Sequence, residues 1–106
     1  MLIGYRNDKL EKHCKNARKK WGQQIGDKLL LRLSELAAFD NLGQVPVTPP
    51  QRCHMLTVSD CRFSVDLSKN FRLIFSPAGP FETREGLGLI KETVKEIIIE
   101  DVVDYH

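Results

Sequence analysis

The chain has 106 residues, of which 42% are hydrophobic and 28% charged, a size and balance that suit one domain with a single core and exclude a disordered or fibrous protein. The formal net charge is +2, and no apolar run approaches the ~20 residues that span a bilayer. The opening residues turn polar too soon for a signal peptide, and the three cysteines form no CxxC pair, so a reduced, cytoplasmic protein without a disulfide framework is predicted.

In chain order, residues 2–5 are short and apolar and predict an edge strand. Asn7 or Asp8 then caps a helix, with Asp8 and Glu11 at capping-box spacing. Leu10, Cys14, Ala17 and Trp21 follow at spacings of four, three and four, which makes one apolar stripe and leaves the lysines on the opposite face. Gly22 interrupts the pattern. A second helix is predicted over 23–39 with Ile25, Leu29, Leu33 and Leu36 as its stripe, and the Asn41-Leu42-Gly43 run stops it. Two helices joined by a glycine should pack as a hairpin.

Residues 45–50 hold three of the five prolines and predict an extended connector. Beyond them the hydrophobic period changes from that of a helix to two. Residues 54–58 predict a short strand; Phe63, Val65 and Leu67 then alternate with Arg62, Ser64 and Asp66. Ser68-Lys69-Asn70 reads as a tight turn, after which Phe71, Leu73 and Phe75 alternate with Arg72 and Ile74. A long loop is expected over 76–85, and 86–93 is left open between a helical turn and a loop. The closing strand, from about Val94, is rich in β-branched residues and reads as buried on both faces. The expected order is β-α-α-β-β-β in one α+β domain, with a two-helix hairpin on one face of a mainly antiparallel, twisted sheet.

Charge is unevenly placed. Arg6, Lys9, Lys12, Lys15, Arg18, Lys19 and Lys20 face only Asp8 and Glu11 in their region, whereas 92–104 is acidic. The basic helix face fits either a solvated helix or a nucleic-acid contact. The chain ends on Asp104, Tyr105 and His106, three groups able to move or orient protons. In a regular strand Asp104 and His106 point to one side and Tyr105 to the other. Arg62, Asp66 and Arg72 mark the charged face of the hairpin, and His54 follows the proline connector. An arginine, a carboxylate and an imidazole on one patch suit phosphodiester transesterification, in which a base deprotonates a ribose 2′-hydroxyl, an acid protonates the departing 5′-oxygen and a guanidinium stabilises the phosphate. Histidine serves either proton transfer because its unperturbed pKa is ~6.5.

Plainer readings stand beside these. A strand arginine such as Arg72 is commonly a cross-strand ion-pair partner, His13 reads as helix packing, and Trp21 as core. Cys53, His54, Cys61 and His106 match no zinc-finger spacing, so no metal or other cofactor is expected.

Four segments carry a likeness to a known family: Pro49-Pro50-Gln51-Arg52-Cys53-His54-Met55-Leu56, Arg62-Phe63-Ser64-Val65-Asp66-Leu67, Asn70-Phe71-Arg72-Leu73-Ile74-Phe75 and Val102-Val103-Asp104-Tyr105-His106. Together with the opening strand and the Asp8-Lys9-Leu10-Glu11-Lys12 run, they resemble the RelE/ParE toxin superfamily of bacterial toxin-antitoxin systems, most of all its HigB branch. The resemblance implies a ribosome-dependent, metal-independent messenger-RNA endonuclease, inhibited by a cognate helix-turn-helix antitoxin through which alone it meets operator DNA. It places His54, Arg72, Asp104, Tyr105 and His106 at the cleavage positions, with Arg72 on the phosphate and the others in acid-base and orienting roles. Arg62, Lys9, Lys12 and Lys19 would contact RNA. Where that family carries a basic loop after its histidine, this chain has Thr57-Val58-Ser59-Asp60-Cys61, with Arg62 as the only cation, and its 77–91 segment is longer than the family's hairpin turn. The same superfamily fold also implies two alternatives: a ParE-like protein that poisons DNA gyrase without cutting RNA, and a non-toxic relative that only binds its antitoxin.

Overall fold

The computed structural model describes residues 1–57, 61–86 and 88–105. Its elements in chain order are β1 (Leu2–Tyr5), α1 (Asp8–Lys15), α2 (Ala17–Trp21), α3 (Gln23–Ala38), β2 (His54–Thr57), β3 (Arg62–Asp66), β4 (Phe71–Ala78), β5 (Thr83–Arg84), β6 (Gly88–Leu89) and β7 (Glu96–Asp104), with 3-10 turns at Leu42–Gln44 and Lys91–Thr93. Five strands form an open sheet in the order β1-β7-β4-β3-β2, while β5 and β6 make a separate two-stranded ribbon. Among the described residues only the β1/β7 pair is parallel; β7/β4, β4/β3, β3/β2 and β5/β6 are antiparallel. The α+β class and the mostly antiparallel sheet agree with the sequence. The short strand expected from residue 54 is present at His54–Thr57; with β3, β4 and β7 it makes four main-sheet strands after the helices where the expected β-α-α-β-β-β order counts three, and the β5/β6 ribbon is a further addition. Residue 58, placed in the expected short strand, lies outside the described residues.

Asn7 is the residue that caps the first helix: its Oδ1 accepts from the Leu10 amide at 2.8 Å. The predicted helix up to Gly22 is in fact two. Asn16 Nδ2 donates to the Lys12 carbonyl at 3.0 Å while the Asn16 amide also reaches Lys12 and His13, the local side-chain competition that makes asparagine a poor helix-interior residue. The apolar stripe survives the break, with Leu10, Cys14 and Ala17 buried and Trp21 half-buried against the core. His13 meets Trp21 edge-on at 6.3 Å between ring centroids, as the packing reading expects.

The α2/α3 hairpin forms around Gly26. A Cβ on this residue would lie 2.5 Å from the Arg18 backbone nitrogen, so only glycine permits the observed approach. At the far end of α3 the Met1 ammonium donates to the Ala37 and Phe39 carbonyls, a positive charge at the negative end of the helix dipole.

Leu29 and Leu36 of α3 pack on Phe63, Val65, Leu73, Phe75, Ile97 and Ile99 of the sheet, and Leu10, Cys14 and Ala17 join the same core. Phe63 and Phe75, cross-strand partners, stack at 5.9 Å. The closing strand is internal, yet it is not buried on both faces. Ile97 and Ile99 are buried, but Ile98 and Glu100 are half-buried and Asp101 is exposed. Ile74 pairs with Asp101 and Phe75 with Ile99, so Glu100 is the extra residue of a β-bulge. The bulge reverses the alternation: Ile97 and Ile99 face the helices before it, and Val102 does so after it.

The expected loop over 76–85 also needs correction. β4 continues through Ser76, Pro77 and Ala78, paired to Ile98, Ile97 and Glu96 of β7. Pro77 is tolerated there because β3 pairs with β4 only as far as Phe75, so no neighbour requires the missing proline N–H on that side. Of the segment left open, 91–93 is a 3-10 turn and 88–89 a strand.

Candidate functional site on the open sheet face

The turn after β3 sets the site. Leu67 N–H donates to the Phe71 carbonyl at 3.0 Å, which closes the turn and puts Asp66 directly opposite Arg72. Opposed residues in an antiparallel pair project to the same face, here the face away from the helices. Arg72 Nε lies 3.0 Å from Asp66 Oδ1, and Arg52 Nε lies 3.6 Å from Asp66 Oδ2. Arg72 Nη1 also donates to the carbonyls of Ser68 at 2.8 Å, Lys69 at 3.1 Å and Phe71 at 3.1 Å. The guanidinium is therefore held in one place by a carboxylate and the turn. The cross-strand ion-pair reading of Arg72 is what the geometry gives, and it leaves a fixed, partly exposed cation on the surface.

Tyr105 joins it. The bulge at Glu100 places Val103 opposite Arg72, and the Tyr105 amide extends the ladder by donating to the Asn70 carbonyl at 2.9 Å. The Tyr105 ring then lies under the Arg72 guanidinium, with 5.9 Å from Cζ to the ring centroid, a cation–π contact. Asp104 is opposite Phe71 in the register, and Phe71 packs on the core. Asp104 thus falls on the helix side of the sheet, one strand position away from Arg72 but on the other face. The sequence reading brought Asp104 to the Arg72 patch and sent Tyr105 away; the bulge exchanges them. His106 lies outside the described residues.

His54 occupies edge strand β2 opposite Ser64, hence on the same face as Asp66 and Arg72. Its Nδ1 is 3.0 Å from the Arg52 carbonyl and its Nε2 is 3.4 Å from Ser64 Oγ. A carbonyl only accepts, so Nδ1 donates to it, while Nε2 faces the Ser64 hydroxyl, a group able to donate or accept. Arg52 reaches this position with φ of 47°, a left-handed conformation uncommon for a residue with a side chain. His54 and Arg72 stand two strands and two residues apart, roughly 12 Å between Cα atoms from ordinary sheet spacings. Ser64 and Ile74 form a buried floor between them, and Arg62, exposed, alternates onto the same face at the start of β3.

The other predicted contacts lie elsewhere. Lys9, Lys12 and Lys19 project from the helix layer, on the side of the sheet opposite Arg72, and among the described residues none of the three is in an ion pair. Their neighbours are paired: Lys15 with Glu11 at 2.9 Å, and Arg18 with Asp27. Partial burial first, and then Lys20 and Lys9, push the His13 imidazole below its ordinary pKa. All three cysteines are free; burial pushes the Cys14 and Cys53 thiols up to about 11, which makes them poor metal ligands and nucleophiles at neutral pH. Among the described residues no three His, Cys, Asp or Glu side chains gather closely enough to hold a metal ion, and no helix is long and apolar enough to cross a membrane.

Asp66, Ser64 and Arg52 organise this face; the sequence marks Asp66 as part of the charged hairpin face without a role of its own, and gives Ser64 and Arg52 none. For Asp66 the signal was available, since a turn closed between Leu67 and Phe71 fixes its pairing with Arg72. For Arg52 it was not, because its position depends on a local left-handed backbone. The arrangement offers a rigid guanidinium beside a phenol and, across a buried floor, an exposed imidazole whose Nε2 meets only the Ser64 hydroxyl, which together can grip a phosphate and move a proton. The chain matches no family model, no curated protein and no solved structure.

Proposed function

We propose that the protein is a metal-independent endoribonuclease toxin of the RelE/HigB kind, cutting messenger RNA on the ribosome by 2′-hydroxyl transesterification. The observation that carries this reading is the open sheet face, where Arg72 is fixed by Asp66 and stacked on Tyr105 while His54 presents Nε2. The strand order β1-β7-β4-β3-β2 with helices on one side supports the family likeness drawn from the sequence. In this scheme a base takes the 2′-hydroxyl proton, the 2′-oxygen attacks phosphorus, and the P–O5′ bond breaks as an acid protonates the leaving oxygen. Arg72 stabilises charge on the phosphoryl oxygens, Tyr105 orients the guanidinium and the RNA, and His54 is the base. His106 supplies the acid, and Asp104, on the helix side, orients the terminal segment. A cognate antitoxin holds the enzyme inactive in the cytoplasm.

The test is expression in growing cells with mapping of transcript ends on ribosomes. The wild-type chain should arrest growth and produce new 5′ ends, and Arg72→Ala or deletion of His106 should abolish both while the protein remains folded. Cutting that survives either change would overturn the assignment. One observation favours a second reading: the full set of carbonyl contacts on Arg72 Nη1 suits an anchor as well as a catalyst, as in a gyrase poison or a non-toxic antitoxin binder. Inhibition of supercoiling by purified gyrase without RNA cutting decides for the former, and antitoxin binding with neither activity for the latter.

A further inference from the structure

A second basic feature lies around the edge of β2. A cleft of about 500 Å³ is lined by Val47, Arg52, Cys53, His54, Met55 and Lys91. It combines two cations and an imidazole, and among the described residues no carboxylate lines it. Lys91 comes from the long 77–91 segment, at the start of the 3-10 turn. Its Nζ stands 5.7 Å from the Phe63 ring centroid, so the cation is half-buried and its stem is fixed against the core. Among the described residues Lys91 is in no ion pair, and Arg52 shares Asp66 with Arg72. Val47 and Met55 supply apolar walls to a concavity with net positive charge.

The cleft and the open face meet at His54, which belongs to both. A chain lying across Arg72 and His54 therefore continues over the edge strand into a cationic concavity rather than onto the lysines of the helix layer. The 57–61 sequence contains no lysine or arginine, so a basic contact beside β2 has to come from another part of the chain. Lys91 is placed to provide it.

We propose that this cleft binds a backbone phosphate of single-stranded RNA flanking the one at Arg72, with Lys91 and Arg52 as its ligands. This rests on the RNA reading above for its substrate class, but its test reads binding alone. Affinity of the full-length protein for a short fluorescent oligouridylate is measured over a series of salt concentrations. Each neutralised phosphate of a single strand contributes about −0.7 to the slope of log K against log salt, so Lys91→Met, which keeps the stem but removes the charge, should weaken binding and make the slope shallower by about 0.7. Lys91→Arg should restore both. Lys95→Met, which removes an exposed lysine lining a different cleft, should leave the slope unchanged. Val47→Glu gives a second route that leaves the core alone, since Val47 is exposed: a carboxylate at the cleft mouth should weaken binding more at low salt than at high salt. An unchanged slope in Lys91→Met, an equal loss in Lys95→Met, or no measurable RNA binding by the unmodified chain overturns the proposal. A loss of slope specific to Lys91 in a protein that cuts no RNA upholds the cleft and removes the nuclease.

Discussion

Asp66 is gripped from both sides of the sheet, and the two grips differ in kind. On the helix side Arg32 Nε donates to the Asp66 carbonyl at 2.8 Å, its Nη1 meets Glu35 Oε1 at 3.2 Å and its Nη2 reaches the Pro50 carbonyl at 3.4 Å. Gln51 Nε2 closes the group by donating to the same Glu35 oxygen at 3.2 Å. Arg32 is 4% exposed and ties α3, the proline connector and the end of β3 into one unit. On the open side Arg72, whose side chain is 21% exposed, takes the Asp66 carboxylate and lies over Tyr105. One arginine is enclosed by its partners; the other is positioned by them and still faces solvent. Burial with every bond internal identifies a structural charge, and fixation with an outward face identifies one that is available to a ligand.

That contrast can be broken by experiment. The largest effect should come from Arg32→Met, which leaves the Asp66 and Pro50 carbonyls and the Glu35 carboxylate without their buried partner; a loss of about 3 kcal/mol is expected, read from the urea midpoint. Gly26→Ala comes next, at about 1–3 kcal/mol from overpacking against the Arg18 backbone, and should show as a lowered thermal midpoint. Arg72→Met should cost only about 1 kcal/mol, as partly exposed ion pairs do, while removing growth inhibition. If it destabilises the fold as much as Arg32→Met does, the two arginines are of one kind and the open face is merely structural. Tyr105→Leu should change stability by about 0.5–1 kcal/mol, the range of an exposed cation–π contact, and would reveal in RNA affinity whether the ring matters beyond holding Arg72. At neutral pH the cysteines should contribute no pH dependence. The folded pKa values of Cys14 and Cys53 are raised from 9.0 to about 11, so the unfolded chain loses these thiol protons first. Stability from burying the thiols is present below pH 9 and is lost as pH rises towards 11. Alkaline unfolding compared between wild type and a Cys14→Ala, Cys53→Ala chain checks the sign.

Much of the fold was legible because local patterns control it. The Leu10, Cys14, Ala17 stripe and the Phe63/Val65 and Leu73/Phe75 alternations reached the core where their periods put them, since a buried face needs the same spacing in any context. The break at Asn16 escaped because a hydrophobic stripe continues through it. Gly26 escaped because a glycine inside a helix reads as a weakness until its neighbour is known. The face assignments of Asp104 and Tyr105 depended on one extra residue in β7, and a bulge is a property of two strands rather than one.

By itself the sequence determined the α+β class, the two amphipathic helical stretches, the Asp66–Arg72 hairpin and the chemical types present at the chain's end, because propensity, period and turn chemistry act over a few residues. Only the tertiary structure decided which of those groups share a surface. Glu100 turned Tyr105 rather than Asp104 towards Arg72, the layering put Lys9, Lys12 and Lys19 behind the sheet, and the 77–91 segment brought Lys91 to the edge beside His54. Those outcomes follow from strand pairing and packing between distant segments, which one-residue shifts reverse and local sequence does not encode.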